Sequence, residues 1–464
     1  MLNSLEDKTN ILLSVILGIL CGLVLMVFLP FATTNIYFII AVPIICLFFI
    51  LMIVSVKSML IVLLFVRALI DPLLNVTKFD ILAEDVGAGG VINLAVIIIA
   101  ISYLIRNPKR LLGDNFLKSW IIFLFICSIT VIFSPVPSRS IKLIFNLVSY
   151  MSMAVLPFFL INNLDDKKFW LKILFFSSLL PSVFANLDLL RGGEFYIDAG
   201  IRIKGTFMHP NILSFYLVLI VALIFYMIKS NIFPLTKFRK SMLWIYMVNL
   251  FVLIVATKTR SAWISCWGLF FVYGLLKEKK YIIYSIVLPV ILFLNSAIIS
   301  RTRDIFSEGN ILRGERLNSF EWRIKLWKSS FPWIKMRPIL GYGLGSFGDL
   351  SRNFFPLEDK AVASHNIYLE LLFETGMAGL LSYIVIYLNI LKSFYSWIKK
   401  GINNISVEYA IIFSYVIGHI IACFSDNMFY YLAFNWYFWF FVGIMLRSMF
   451  LYGKNNDNCN NSIF

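Results

Sequence analysis

The sequence predicts an all-α polytopic membrane protein, and three observations lead to that fold class. Of 464 residues, 60% are hydrophobic and 14% are charged, and the mean hydropathy is +0.86, far above that of an ordinary soluble domain. Apolar runs long enough to cross about 30 Å of hydrocarbon as helices recur along the chain. The net charge is +16, and the basic residues stand singly between these runs. That pattern is typical of the positive-inside bias of membrane proteins and lacks the basic stripe of a nucleic-acid-binding protein.

Fourteen apolar runs are predicted to span the membrane, which fits a bundle of about 12 to 14 helices. The shortest, 58–70, carries Arg67 and ends at Asp71, so it is either a full span or a broken, half-inserted helix. The first run has no cleavage site after it and is interpreted as an uncleaved span. The predicted spans are 11–29, 36–56, 58–70, 91–105, 117–133, 143–161, 169–187, 211–228, 242–257, 262–276, 281–299, 367–391, 408–424 and 433–450.

The distribution of Lys and Arg predicts the orientation. With a cytoplasmic N-terminus, the inside segments carry 21 Lys and Arg and the short outside loops carry 8, as the positive-inside rule requires. The chain then divides into a helical bundle (1–299), a long extracytoplasmic loop (300–364), three last spans (365–451) and a cytoplasmic polar tail (452–464). We expect the inner (cytoplasmic) membrane, with both termini cytoplasmic.

The long loop contains a predicted amphipathic helix and a glycine motif. Apolar residues between Leu317 and Ile334 recur every three or four positions, which indicates a helix lying on the outer membrane surface or packed in a small extracytoplasmic domain. The segment 343–348 matches G-x-G-x-x-G, but no strand-turn-helix pattern surrounds it. We therefore predict a tightly turning loop beside a site, without a bound nucleotide.

His365 is the candidate base among three histidines. His419 lies within an apolar span and is predicted to be a packed helix residue, while His209 precedes a helix start and could serve structure or site. His365 stands where the long loop enters a span, so the positive end of a helix disfavours its protonated form. A neutral imidazole at this boundary could act as a general base, although a structural helix cap is an equally open interpretation.

Two outside arginines are candidates for binding an anion. Arg202 precedes a predicted helix start, and Arg260 lies in a tight turn between two spans, where the positive-inside rule disfavours cations. A phosphate or pyrophosphate would supply their partner through bidentate hydrogen bonds. The alternative is an ion pair with Asp188, Glu194 or Asp198. No D-x-D pair occurs in the chain, so we predict no metal and no cofactor.

Three patches resemble the bacterial O-antigen polymerase and O-antigen ligase superfamily. The first is 202–211 (RIKGTFMHPN) and the second is 259–263 (TRSAW). The third runs from Arg323 and Trp327 through 337–343 (RPILGYG) and 346–347 to His365-Asn366 and 374–379. Their order and spacing agree with that family from about residue 200 to 390.

The resemblance implies a glycosyltransferase-C-like bundle whose site faces the periplasm. The resemblance also implies that His365 is the base on the acceptor hydroxyl and that Arg202 and Arg260 hold the donor pyrophosphate. It further implies that Asp426 orients His365 or binds sugar. The implied partners are an undecaprenyl-pyrophosphate-linked glycan donor, a glycan acceptor, membrane lipid and a chain-length regulator protein, without nucleic acid. Further substrate-binding candidates are Arg191, Lys204, Arg323, Arg337 and Glu374.

The predicted reaction is polymerisation of lipid-linked repeat units into O-antigen or capsular polysaccharide. The many aromatic residues, 17% of the chain, suit a groove that grips a glycan. An O-antigen ligase that transfers polysaccharide to the lipid A core is the first alternative. A flippase for lipid-linked oligosaccharide is the second, although the internal repeats typical of transporters are not evident.

Overall fold

The computed structural model describes residue 50 and the ranges 54–76, 78–81, 84–107, 115–196, 200–292, 319–357 and 360–460. Helices make up most of it. They are α1 (Val56–Arg67), α2 (Asp71–Val76), α3 (Ala88–Arg106), α4 (Asn115–Thr130), α5 (Pro137–Leu160), α6 (Leu164–Ser177), α7 (Leu179–Leu190), α8 (Pro210–Lys229), α9 (Lys237–Ala256), α10 (Arg260–Leu276), α11 (Lys280–Leu292), α12 (Ser319–Met336), α13 (Phe347–Phe354), α14 (Ile367–Glu374), α15 (Gly376–Lys399), α16 (Asn403–Ala422) and α17 (Leu432–Asn460).

The strands in the described ranges form two antiparallel hairpins. Strands β1 (Lys78–Ile81) and β2 (Glu84–Gly87) pair between α2 and α3, and strands β3 (Glu194–Tyr196) and β4 (Gly200–Arg202) pair between α7 and α8. The second hairpin delivers Arg202 to the start of α8.

The predicted all-α polytopic membrane fold is confirmed. In the described part of the chain, nine helical segments are long and apolar enough to cross a membrane, and they are 89–106, 115–133, 137–160, 164–190, 210–229, 237–256, 376–399, 404–422 and 432–453. Each overlaps one predicted span. The predicted span 11–29 and most of 36–56 lie outside the described residues, as does the end of 281–299.

Helix α8 is the centre of the bundle. Its membrane-spanning window is 94% buried, and a helix that is apolar on all sides is expected to lie in the core of a bundle. Helices α10, α16 and α17 pack around it, and α5 lies along α17. The aromatic residues Phe225, Tyr273 and Tyr281 meet edge to face in this core, an arrangement favoured by the ring quadrupole.

Polar contacts divide the loops into two sets at opposite ends of the bundle. At one end, the turns near residues 68–71, 134–140, 188–211, 257–261 and 425–431 contact each other and the segment 319–376. At the other end, Lys167 of α6 pairs with Glu408 of α16 at 2.9 Å, and Lys229 pairs with Glu278 at 2.5 Å. These sets coincide with the predicted outside and inside loops. We call the first set the site end.

The short run 58–70 is a broken helix. Helix α1 ends at Arg67 after 12 residues, and α2 begins at Asp71. The Arg67 guanidinium donates to the Asp71 carboxylate at 2.8 Å, and both side chains are buried. The other Asp71 oxygen accepts from the Met208 amide at 3.2 Å. This ion pair explains why a charged residue ends an apolar run.

The long loop forms a small second core rather than only a surface helix. Helix α12 is present, but Phe320 and Phe331 of the predicted apolar stripe are each 46% exposed. Its buried face carries Leu326 and Ile334, which pack with residues 342–373. The predicted stripe is therefore wrong for two of the five members that the structure describes, Phe320 and Phe331, because residues distant in sequence supply the partner surface.

Candidate active site

The turn at 425–431 joins two networks of polar residues at the site end. Asp426 belongs to a network that includes Arg202 and the start of α10. Asn427, the next residue, belongs to a second network that includes Ser364 and Glu370. The three sequence patches that resemble the polymerase and ligase superfamily therefore converge at one end of the bundle.

Arg202 is buried and is held by protein atoms. Its Nε donates to the Thr257 carbonyl at 2.7 Å, and its Nη2 donates to Asn211 Oδ1 at 2.6 Å and to Thr259 Oγ1 at 2.9 Å. The guanidinium also lies 5.4 Å from the Tyr196 ring centroid. Its side chain thus ties the β3–β4 hairpin to the starts of α8 and α10.

Asp426 collects donors from three elements. Its oxygens accept from the Asn211 amide at 3.1 Å, from the Ser261 hydroxyl at 2.9 Å and from the Tyr431 hydroxyl. Asp426 is 2% exposed, and a buried polar side chain needs hydrogen-bond partners of this kind. Asp426 therefore fixes α8 against α10 and against the last turn, on the Arg202 side of the site.

Arg260 opens helix α10 at the edge of this network. Thr259 is the N-cap residue and Arg260 is the first helical residue, half-buried. The free amides and the dipole of a helix start favour an anion, and the Arg260 guanidinium adds a full positive charge at the same place. This is the arrangement expected for binding a phosphate or pyrophosphate.

Of the two other predicted cations in the neighbouring loop, one already has an acidic partner. Lys204 pairs with Glu194 at 2.6 Å, and Asp188 accepts from the Lys204 and Gly205 amides at 2.8 and 3.0 Å. Arg191 is exposed at the C-terminal cap of α7. The acidic residues proposed as alternative partners of the arginines thus include two that hold this loop, and Asp198 lies outside the described residues.

His365 stands one residue before the helix cap of α14. Asn366 is the N-cap residue, and its Oδ1 accepts from the Tyr368 and Leu369 amides at 3.0 and 3.1 Å. His365 is half-buried and adopts a left-handed backbone with φ of 51°. A non-glycine residue in this conformation is uncommon, and such residues concentrate at functional sites. The predicted position at a helix start is confirmed, and the capping role belongs to Asn366.

Helix α12 and its neighbours hold the His365 segment. The Trp327 indole donates to the Ser364 carbonyl at 2.8 Å, and the Ile367 amide donates to the Cys423 carbonyl at 3.0 Å. Trp322 lies 6.3 Å from the His365 ring, edge on. Arg323 donates to the Ser425 carbonyl at 2.9 Å, so this predicted substrate-binding residue links α12 to the Asp426 turn.

The predicted span 367–391 is interrupted beside the site. Helix α14 ends at Glu374 and α15 begins at Gly376, whose φ is 63°. The segment 338–343 inserts here, because the Met377 amide donates to the Pro338 carbonyl and the Gly343 amide donates to the Glu374 carbonyl, both at 2.8 Å. A Cβ at Gly376 would lie 2.2 Å from Ile339. The break therefore depends on a backbone approach that only glycine permits.

The glycine motif 343–348 forms the predicted tight turn. The Ser140 hydroxyl donates to the Leu344 carbonyl at 2.5 Å, and the Phe347 amide donates to Glu374 Oε1 at 3.0 Å. Arg337, at the entrance to this segment, is exposed and lies 4.8 Å from the Tyr342 ring centroid. Glu374, predicted to bind substrate, is instead 2% exposed and supports this loop.

Two buried acids lie one helical turn apart in α14. The hydroxyls of Ser364 and Tyr430 lie 2.5 and 2.9 Å from the Glu370 carboxylate oxygens. Burial raises the pKa of Glu370. Burial, and then the adjacent Glu370 charge, raises the pKa of Glu374 well above its usual value. A raised pKa in a cleft is a mark of functional sites as well as of buried structure.

The remaining histidines make contacts within the bundle. His209 is the N-cap residue of α8, and its Nδ1 accepts from the Asn211 amide at 3.1 Å. His419 is 2% exposed, stacks on Phe438 at 4.0 Å and lies 3.2 Å from the Tyr387 hydroxyl. The prediction that His419 is a packed helix residue is confirmed.

Sequence reasoning did not select six residues that the structure places in the networks. Asn211 and Ser261 lie within the three resembling patches, so their polar side chains at predicted helix starts could have identified them as site residues. For the others, the signal was weaker, because single polar residues among apolar ones are common. The unselected residues are Asn211, Ser261, Glu370, Asn427, Tyr430 and Tyr431. Among the described residues, no group of three or more His, Cys, Asp or Glu side chains is placed to hold a metal.

A family model described as O-antigen ligase matches residues 245–384. The match contains the Arg260 turn, helix α12, the glycine motif, His365 and the α14–α15 break. This match supports the resemblance to the O-antigen ligase and polymerase superfamily. The match indicates a glycosyltransferase of this type, with a general role in polysaccharide biosynthesis in a multi-pass membrane protein. No curated protein matches the chain.

Proposed function

We propose that this protein polymerises lipid-linked repeat units at the outer face of the cytoplasmic membrane. The donor is a glycan on undecaprenyl pyrophosphate, and the acceptor is a hydroxyl of a second lipid-linked repeat unit. The observation that carries the proposal is the convergence of the three resembling patches on the 425–431 turn, through Asn211, Ser261 and Arg323. A site for one reaction needs its base and its cations at the same end of the bundle, and His365, Arg202 and Arg260 all lie at the site end.

His365 is proposed as the general base. The acceptor hydroxyl gives its proton to the imidazole while its oxygen attacks the anomeric carbon of the donor. The bond from that carbon to the pyrophosphate breaks, undecaprenyl pyrophosphate leaves, and the anomeric configuration inverts. Such proton transfer contributes about 10²- to 10⁴-fold to a rate. The left-handed backbone of His365 holds the imidazole beyond the capped start of α14.

Arg260 is proposed to stabilise the leaving pyrophosphate. Its charge and the start of α10 favour an anion at one place, and preorganised charge of this kind usually lowers the barrier of such a reaction more than any other single effect. The buried hydrogen-bond fork of Arg202 favours a different role from the predicted one. Arg202 positions Thr259 and Asn211, and through them the Arg260 turn.

An O-antigen ligase is the second candidate, favoured by the description of the matched family model. Both reactions use the same donor, and the acceptor distinguishes them. Purified protein in proteoliposomes, supplied with lipid-linked repeat units, should release undecaprenyl pyrophosphate and form a ladder of longer glycans. Transfer only to added lipid A core would favour the ligase. Movement of the donor across the membrane without bond formation would contradict both and favour a flippase.

A further inference from the structure

We propose that a cavity beside His365 binds a sugar residue of the acceptor. The inference rests on the proposed glycosyl transfer and assigns the acceptor a place and a set of contacts. The cavity has a volume of about 200 Å³ and lies between the start of α5, helix α14 and the 425–431 turn. Its polar lining comes from Arg139, Glu370, Asn427 and Tyr430, and Gly348 and Ala361 are among its small lining residues.

The polar lining suits hydroxyl groups, which both donate and accept hydrogen bonds. Each Glu370 oxygen has one hydroxyl neighbour, Tyr430 or Ser364, and a carboxylate oxygen has room for a second donor. The Asn427 amide nitrogen is buried and lies near the Glu370 carboxyl group, where it partly offsets the rise in pKa that burial causes. It meets no acceptor in hydrogen-bonding geometry among the described residues. A sugar hydroxyl could satisfy both groups at once.

The charges of the lining favour an uncharged ligand over a phosphate. Arg139 donates to Asp349 at 2.5 Å, so an acid already balances its charge. Glu370 brings no positive charge to the cavity, and in its ionised form it would repel an anion placed beside it. The donor pyrophosphate is therefore expected at the Arg260 turn, and the cavity is left for the neutral part of a glycan.

The size of the cavity fits one sugar residue. It is smaller than the roughly 300–1,000 Å³ of sites that enclose drug-sized ligands. Its wall at Gly348 has open space, because a Cβ there would meet only the Val362 carbonyl oxygen, at 3.9 Å. A larger side chain at Gly348 can thus fill the cavity without a backbone clash.

The location of the cavity identifies the acceptor. Ser364, which contacts Glu370, precedes His365, and Asn427 follows Asp426 of the Arg202 network. The cavity lining and the Arg202 network therefore meet at adjacent residues of the 425–431 turn. An acceptor hydroxyl must come within hydrogen-bond reach of the base, so the sugar bound beside the His365 segment is the one that is deprotonated.

The test is a substitution that fills the cavity, with the KM of the donor and the KM of the acceptor measured separately. The acceptor is a repeat unit as a simple alkyl glycoside, which has no phosphate leaving group on its anomeric carbon and can only accept. We expect Gly348→Leu to raise the KM for this acceptor by about tenfold or more, as steric changes in a binding pocket do, with the donor KM unchanged. Gly453→Leu is the matched control, because Gly453 lies at the far end of the bundle with open space around it. It should behave as wild type.

An unchanged acceptor KM in Gly348→Leu, or an equal rise in both KM values, would overturn the subsite. Tyr430→Phe, which removes one hydroxyl without changing shape, covers the case in which Gly348→Leu does not fold, and an unchanged acceptor KM there would also overturn it. The affinity for this acceptor, measured in the absence of donor, separates the two proposals. If Gly348→Leu binds the acceptor more weakly than wild type does but wild type transfers no sugar, the proposed function is contradicted and the subsite is not. If wild type transfers sugar but wild type and Gly348→Leu bind the acceptor equally, the subsite is contradicted and the proposed function is not.

Discussion

At the scale of single residues, the two arginines that looked alike in the sequence occupy different environments. Arg202 is 5% exposed and makes hydrogen bonds from two nitrogens of its guanidinium to three protein oxygens. Arg260 is half-buried at the start of α10. Sequence alone could not separate them, because the partners of Arg202 lie on three elements that only the fold brings together.

Replacing each arginine with lysine should give two different phenotypes. A lysine cannot reproduce a planar fork of donors, so we expect Arg202→Lys to lower the free energy of unfolding by about 1–3 kcal/mol through unsatisfied buried acceptors. Arg260→Lys should leave stability unchanged and raise the donor KM. Thermal unfolding in detergent and donor titrations measure the two effects. Equal losses of stability would contradict the separation of roles.

Glu374 makes stability dependent on pH. Burial, followed by the charge of Glu370, raises its pKa well above the ordinary value of 4.5. The folded protein therefore holds a proton that the unfolded chain releases. The resulting stabilisation is complete below pH 4.5 and is lost as the pH rises through the raised pKa.

We expect Glu374→Gln to flatten this decline and to be more stable than wild type near neutral pH, since glutamine can still accept from the Phe347 amide. Unfolding temperatures measured from about pH 4.5 to 8 test the expectation. Wild-type and variant curves that run parallel would show that Glu374 is not the group responsible.

At the scale of elements, two broken helices contribute to the site, and the sequence predicted one of these breaks only as an alternative to a full span. Arg67 and Asp71 mark the end of α1 within their own run, so that break was visible locally. The α14–α15 break was not predicted: Glu374, Thr375 and Gly376 interrupt the apolar run there, but the helix break itself depends on hydrogen bonds from 338–343. Similarly, the buried face of α12 depends on a second core formed by residues after 341.

A buried ion pair holds four helices together at the opposite end. Lys167 of α6 donates to Glu408 of α16 at 2.9 Å, and the hydroxyls of Tyr226 (α8) and Tyr452 (α17) also donate to Glu408, at 2.8 and 3.0 Å. Removing one partner of such a pair leaves an uncompensated buried charge. Removing one residue of the pair should therefore lower the free energy of unfolding strongly, whereas replacing both residues with apolar ones should lower it little.

We expect Lys167→Met to lower the free energy of unfolding by about 3–5 kcal/mol, and Lys167→Met with Glu408→Met to recover most of the loss. A double-mutant cycle on unfolding in detergent measures the coupling. Additive single and double changes would mean that the pair contributes no interaction of its own.

At the scale of the whole molecule, composition and charge predicted the fold class, and nearly every described span lies where its apolar run indicated. The contacts between loops fall into two sets that match the predicted alternation. Pairings within the site were beyond the sequence, because Asn211, Ser261 and Asp426 are up to 215 residues apart. Such contacts depend on how the helices pack.

The predicted orientation places the site end outside the cell membrane. In a variant with its six cysteines replaced, a cysteine at the exposed Lys328 of the site end should react with a membrane-impermeant maleimide on spheroplasts. A cysteine at Lys240, exposed at the opposite end, should react only after permeabilisation. The reverse pattern would place the site on the cytoplasmic side and contradict the proposed donor geometry.

The most direct test of the central claim is the transfer rate of His365→Asn. Asparagine tolerates a left-handed backbone better than alanine does, so this variant removes the imidazole and retains the φ of 51°. Gly401→Asn, at a position with φ of 69° at the opposite end, is the control for the substitution. With lipid-linked repeat units as substrate, we predict a rate reduced by about 10²- to 10⁴-fold in His365→Asn, with unchanged unfolding temperature. A rate within a few-fold of wild type would contradict the role of His365 as the base.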